Sequence, residues 1–445
     1  MRFFVKPLLF YNKGVLRPVS NRPSAIPFRE AAAFWLKLGL ISFGGPAGQI
    51  AIMHQELVER RRWVREPDFL HALNYCMMLP GPEAQQLATY LGWLMHGRWG
   101  GIVAGGLFVL PALVILVALS WIYVRFGQQP IIAALFYGIK PAVVAIIFHA
   151  CWRIGKRTLH HPMLMALAAA AFVGIFFLQL PFPLIIFAAG VMGWLGAHYR
   201  PAIFSPVHQQ ENDPPPTATT GSLRASPLRS LAYGVVLWAV PMLALLWWFG
   251  GEHVFSQMAW FFTKAALLTF GGAYAVLPYV QQAAVDHYAW LSANQMIDGL
   301  ALGETTPGPL IMVVVFVAYL GGYGSQVWGE AGSALAGTTA ALITTWFTFL
   351  PSFLFVLLGA PIIEKTRGIG KVTGPLTAIT AAVVGVMVNL GVYFAQWSIF
   401  ANQTLDIYTL LVSLVALLLL VKQWLGVIPL IAVSALAGVI YRLVF

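Results

Sequence analysis

The stretch FWLKLGLISFGG at residues 34–45 returns 227 positions later as FFTKAALLTFGG at 261–272. In each copy a lysine in an apolar run, Lys37 or Lys264, stands seven residues before the first glycine of a Phe-Gly-Gly triplet. The triplets are Phe43-Gly44-Gly45 and Phe270-Gly271-Gly272. The same offset carries Trp63 to Trp290, and Pro80-Gly81-Pro82 to Pro307-Gly308-Pro309. Farther on the offset is 240, aligning Pro111 with Pro351 and Ala142-Val143-Val144 with Ala382-Val383-Val384; the second copy therefore holds about 13 extra residues near 323–336. Four motifs in register make the chain a tandem duplication.

Of the 445 residues, 59% are hydrophobic and only 9% charged, with a mean hydropathy of +0.78. A soluble chain carries about 25% charged residues to cover its surface. This composition specifies an all-α polytopic membrane protein. Continuous apolar runs of about 20 residues exclude a β-barrel, whose segments alternate over about 10. Two cysteines exclude a disulfide framework and an iron–sulfur cluster, and ten histidines without ligand spacing point to no metal, so no cofactor is expected. Residues 1–229 hold 20 Lys/Arg against 8 Asp/Glu, and residues 230–445 hold 6 against 7. Because the basic residues sit in short loops beside helix ends, they mark cytoplasmic loops and not a nucleic-acid surface.

The punctuation divides the chain into an N-terminal cytoplasmic extension without a cleavable signal (1–27), a first repeat (28–199), a polar cytoplasmic linker around Asp213-Pro214-Pro215-Pro216 (200–229), a linking transmembrane helix (230–249) and a second repeat (250–445). Six apolar segments per copy and the linking helix make about 13 membrane segments. Seven segments separate equivalent positions, an odd number, so the second copy is expected upside down, as in inverted-repeat transporters. With the N-terminus inside, Arg153/Lys156/Arg157, Arg200/Arg224/Arg229 and Lys365/Arg367/Lys371 are cytoplasmic, while 281–293 and 397–404, which lack Lys and Arg, are external. Arg60-Arg61-Arg62 and Arg65 are also inside if the first FGG segment is a re-entrant hairpin bent at Gly44-Gly45-Pro46, followed by a second hairpin bent at Pro80-Gly81-Pro82.

Proline and glycine break the helix at these points. Broken backbone at membrane depth is tolerated where it is buried in protein or lines a cavity. A half-helix that starts there offers free N–H groups and a positive dipole end to an anion. The candidate substrate-binding positions are therefore Gly44, Gly45, Pro80, Gly81 and Pro82 in the first copy. Gly271, Gly272, Pro307, Gly308 and Pro309 are their counterparts in the second. Gln85, Gln86, Thr305 and Thr306 add neutral donors suited to oxyanion oxygens, and are equally able to cross-brace helices. Lys37 and Lys264 lie on the same helix face as their Gly-Gly breaks, about 10 Å away, and are expected to add positive charge; the competing reading is snorkelling to the interface. Lys140 is a third intramembrane cation, with Thr380 as its counterpart. Glu304, just before the second Pro-Gly-Pro, and Glu83, just after the first, are candidate proton carriers, since a buried carboxylate can carry a proton.

FGGPAGQIAIMHQELVERRRWV (43–64), LPGPEAQQLATYLGWLMHGRWGG (79–101), FVLPA (108–112), TFGGAYAVLPYVQQ (269–282) and GETTPGPLIMVVVFV (303–317) together resemble the chromate ion transporter (CHR) family, in its long two-domain form. The resemblance covers nearly everything from Phe28 to the C-terminus. It implies export of chromate from the cytoplasm across the bacterial inner (plasma) membrane, driven by the proton gradient and giving chromate resistance. It also implies that the residues involved map onto the FGG and PGP regions. Sulfate, with the same charge and shape, is the alternative cargo, and a homodimer stays open. A membrane-embedded reductase would need a redox centre for which no motif is visible, so an enzyme is not expected.

Overall fold

The computed structural model describes residues 26–204, 227–366, 373–400 and 404–444. The N-terminal extension to residue 25, most of the linker (205–226), the basic loop 367–372, residues 401–403 and Phe445 lie outside these described residues. The protein is all-helical, with no strand among the described residues.

The first repeat comprises α1 (Phe28–Ile41), α2 (Gly45–His54), α3 (Glu66–Met78), α4 (Glu83–Phe126), α5 (Pro130–Thr158), α6 (Pro162–Phe176) and α7 (Phe182–Tyr199). A short α8 (Pro201–Phe204) and the linking α9 (Pro227–Phe249) follow. The second comprises α10 (Val254–Leu268), α11 (Ala273–Gln281), α12 (Ala293–Thr305), α13 (Val313–Gly324), α14 (Gly329–Thr366), α15 (Thr373–Ile399), α16 (Ile407–Val421) and α17 (Val427–Val444). Prolines open several of these helices, where a missing N–H costs nothing. Seven described helices are long and apolar enough to cross a membrane, and three shorter apolar helices accompany them.

The FGG segments are hairpins. Chain that leaves α1 through Gly44 returns to its own start: Trp63 packs against Phe34 at 5.3 Å, and Arg61 reaches Glu30 at 3.7 Å with its guanidinium over Phe34. In the second copy Trp290 returns to Phe261 and Phe262, at 5.8 and 6.0 Å. Each returning arm ends in a single π-helical turn, Gln55–Arg60 and Gln282–His287, at equivalent positions. Such turns occur mostly as local inserts, frequently at functional sites.

The PGP segments fold back at Pro-Gly-Pro, Tyr75 of α3 packing on Tyr90 of α4 at 5.7 Å and Gly299 of α12 on Phe316 of α13. After Pro82 the first arm of α4 climbs to His96 and Gly97, where the backbone leaves helical geometry. The second arm then runs back alongside it, Gly92 packing on Gly100 and Ala104, and Thr89 on Gly101 and Gly105. His96 Nε2 lies 2.7 Å from Ile26 O, so this hairpin ends where the first one begins. Downstream of Pro309, α13 and α14 repeat the arrangement through Gly322 against Ala336 and Ala340. Each FGG and PGP segment, counted in the sequence as one apolar span, is thus a pair of short helices.

Packing of the remaining helices exchanges the copies: α5 packs on α16 and α17, while α15 packs on α6 and α7. Small residues allow the close approach, Gly138 facing Gly438 in one set and Gly193 facing Gly374 in the other. The linking α9 lies at the periphery, with Trp247 and Trp248 exposed, held to α10 by a Trp238 Nε1 bond to Thr263 Oγ1 at 3.1 Å.

Candidate anion site at the helix breaks

The breaks of one copy are clasped to those of the other. Gly81 N–H donates to Thr269 O at 2.7 Å, and Gly308 N–H donates to Ser42 O at 2.8 Å. Gly81 and Gly308 are the central residues of the two Pro-Gly-Pro motifs; Ser42 and Thr269 each precede a Phe-Gly-Gly. The two bonds are therefore the same contact made twice with the copies exchanged. Both glycines have left-handed φ, +130° and +101°, which a side chain would strain. Gly308 sits against Ala112, and Gly81 against Ser352, its counterpart at the offset of 240.

The four half-helix starts at the breaks belong to α2, α4, α11 and the short turn Leu310–Met312, and none is capped by a side chain. Helices α6, α10, α12 and α16 are capped by His161, His253, Ser292 and Asp406, while α1, α3, α5 and α7 are uncapped as well. The uncapped N–H groups are the ones that can receive an anion. Around them lie buried polar atoms without a protein partner: the hydroxyls of Ser42 and Ser352 and the amide oxygens of Gln49, Gln85 and Gln86. Gln49 Nε2 donates to Gly308 O at 2.6 Å, and Gln86 Nε2 to Pro80 O at 2.7 Å, so both amides brace a break. Gln85 bonds Thr89 at 3.0 Å. Thr305 and Thr306 donate their hydroxyls back to α12 carbonyls and so offer no donor to a ligand, while Pro307 and Pro309 end the helix.

Two carboxylates stand at this site. Glu304 is 8% exposed and accepts from Tyr274 Oη at 2.6 Å, tying α12 to α11. Glu83 Oε1 is 3.7 Å from where a side chain on Gly272 would begin, beside the uncapped start of α11. From α5, Arg153 acts electrostatically on Glu304 and Arg157 on Glu83. The two FGG breaks also differ. Gly271 and Gly272 are approached by Thr380 and Glu83, whereas a side chain on Gly44 or Gly45 would meet nothing within 4 Å.

The lysine pair is not brought to the breaks. Lys37 lies on the exposed stripe of α1 with Leu36 and Leu40, while Phe34, Trp35 and Leu38 form the buried one. Lys264 Nζ sits 5.7 Å from the ring of the half-exposed Trp260. Both read as side chains snorkelling along an outer face. Lys37→Met and Lys264→Met should therefore transport at close to the wild-type rate; a severe loss in either would return that lysine to the site.

Among the described residues, no group of three or more His, Cys, Asp or Glu gathers to hold a metal. A family model described as Chromate transporter matches residues 29–194 and 256–439. The chain belongs to the chromate transporter family. It is 30% identical over 395 residues to a chromate transport protein of Cupriavidus metallidurans, covering 88% of each chain. It is 31% identical to one of Pseudomonas aeruginosa, covering 94% of this chain and 93% of that one. A probable chromate transport protein of Synechococcus elongatus is 28% identical over 94% of this chain and 96% of its own. No solved structure matches.

Several members of the site had no motif to announce them. Ser42 and Thr269 sit in register and were findable from the offset; Gln49, Tyr274 and Ser352 have no polar counterpart in the other copy at Val276, Ala47 and Ala112. Arg153 and Arg157 carried a signal that read as loop topology alone.

Proposed function

We propose that this protein is a secondary transporter that exports chromate from the cytoplasm, coupled to the proton gradient, with its repeats inserted in opposite orientations and its N-terminus cytoplasmic. The observation that carries this reading is the reciprocal clasp, Gly81 to Thr269 and Gly308 to Ser42, which holds uncapped half-helix starts of both copies around one interior region. Each helix start carries about half a positive charge. Four of them supply about two charges, enough to balance a dianion without a buried cation. Ser42 and Ser352 add hydroxyl donors to a tetrahedral oxyanion, and Glu83 stands beside the start of α11. Family membership and the chromate transport proteins among the relatives support chromate as the cargo.

The test is uptake of labelled chromate into inside-out membrane vesicles, with and without an imposed pH gradient. The expected result is accumulation that a protonophore collapses and that excess sulfate does not suppress. Suppression by sulfate would make the protein a general carrier of tetrahedral dianions. Uptake no greater than in vesicles lacking the protein would reject the reading.

A further inference from the structure

Asp298 lies on α12 six residues before Glu304, about 9 Å along the helix axis. Only 6% of it is exposed. Tyr123 Oη, from the far end of α4, donates to Asp298 Oδ2 at 2.8 Å, and Oδ1 has no protein partner. One turn before Asp298 on α12, the exposed Asn294 accepts from Lys140 Nζ of α5 at 2.9 Å. The Lys140 charge also acts on Asp298. Among the described residues the titratable groups acting on Asp298 are thus Tyr123 from α4 and Lys140 from α5. The neighbouring α13 contributes the Phe316 ring, 5.1 Å from that of Tyr123.

Asn294, Lys140 and Asp298 form a graded series, from exposed through half-buried to buried, at the α12 end opposite Glu304. The series exists in one copy only. Its counterparts are Pro67, Thr380 and His71, and Ile363 replaces Tyr123. In a carrier whose two copies face opposite sides of the membrane, a group confined to one copy distinguishes those sides.

We propose that Asp298 is the group that takes protons from the external face, with Lys140 and Asn294 as its entrance, and passes them to Glu304. The assignment rests on the reading of the protein as a proton-coupled chromate exporter. In the first step a proton from external water binds Oδ1 while Lys140 keeps its own protons. In the second, that proton leaves through water to the Glu304 carboxylate, and Asp298 returns to its anionic form opposite Lys140. No other bond forms or breaks.

The experiment compares chromate exchange at equal pH with pH-gradient-driven uptake in inside-out vesicles carrying the full chain. Asp298→Asn should reduce gradient-driven uptake about tenfold more than exchange, and Asp298→Glu should restore the gradient response. Lys140→Gln should move the midpoint of the pH profile upward, because losing a nearby positive charge favours the neutral acid; Lys140→Arg should leave it in place. An Asp298→Asn protein driven as well as wild type, or one losing exchange and driven uptake equally, overturns the assignment. If Asp298→Asn does not insert, an unmoved Lys140→Gln profile overturns it. Wild-type vesicles that take up no chromate would reject the exporter reading and this assignment together, whereas failure of the variants alone rejects only the assignment.

Discussion

Glu304→Gln is expected to lower pH-gradient-driven chromate uptake by about a hundredfold, the scale of a lost proton-transferring group. Chromate should still protect the purified variant against thermal unfolding. Glu304 is buried, accepts a 2.6 Å hydrogen bond from Tyr274 and stands one turn before Pro307-Gly308-Pro309. Tyr274 in turn follows Gly272 by two residues, so a single hydrogen bond ties the two breaks of the second repeat. A charged carboxylate is the stronger acceptor. Protonation weakens the tie and frees α11 from α12, and glutamine mimics that weakened state permanently. The counterparts are Ala47 and Met77, so the first repeat has no such tie, and its Gly44-Gly45 break is also the open one. The tie is thus closed in one copy and missing in the other. A Glu304→Gln carrier that still accumulates chromate with wild-type pH dependence would reduce the residue to a brace.

Tyr274→Phe separates the two parts of that argument. It removes the hydrogen bond and leaves the acid, so coupling to the gradient should persist while the pH profile shifts.

The breaks were legible in the sequence because proline and glycine interrupt helices whatever surrounds them, and the duplication certified each motif by repeating it. The partners of the breaks were not. An offset of 227 says that Gly81 and Gly308 are equivalent, but not that each bonds the carbonyl before the other copy's Phe-Gly-Gly. The lysines misled for a related reason: a seven-residue spacing places Lys37 on one face with Gly44, yet which way that face points depends on how α1 packs against α4. Glu304 stood out as a carboxylate beside a break. Asp298, Tyr123 and Tyr274 did not, because a search guided by the repeat passes over residues present in one copy only.

Gly308→Ala should abolish transport and lower thermal stability in detergent. At φ +101° an alanine is strained by about 1–3 kcal/mol. Its Cβ would also fall 2.6 Å from that of Ala112, which has no rotamer to change, and such overpacking costs about 1–3 kcal/mol more. Relief by backbone movement would pull Gly308 N–H from Ser42 O and open one half of the clasp. Gly81→Ala meets side chains instead, Ser352 Oγ and Gln86 Nε2, and these can rotate away. Its penalty is the backbone strain and the lost Gln86 brace on Pro80, without a collision against a side chain that cannot move, so it should retain partial transport. Ala112→Gly in the Gly308→Ala background removes the collision but not the strain, and should restore stability in part. If Gly308→Ala transports chromate normally without rescue, the clasp does not hold the site together, because no arrangement of that break accommodates a side chain while keeping the bond to Ser42.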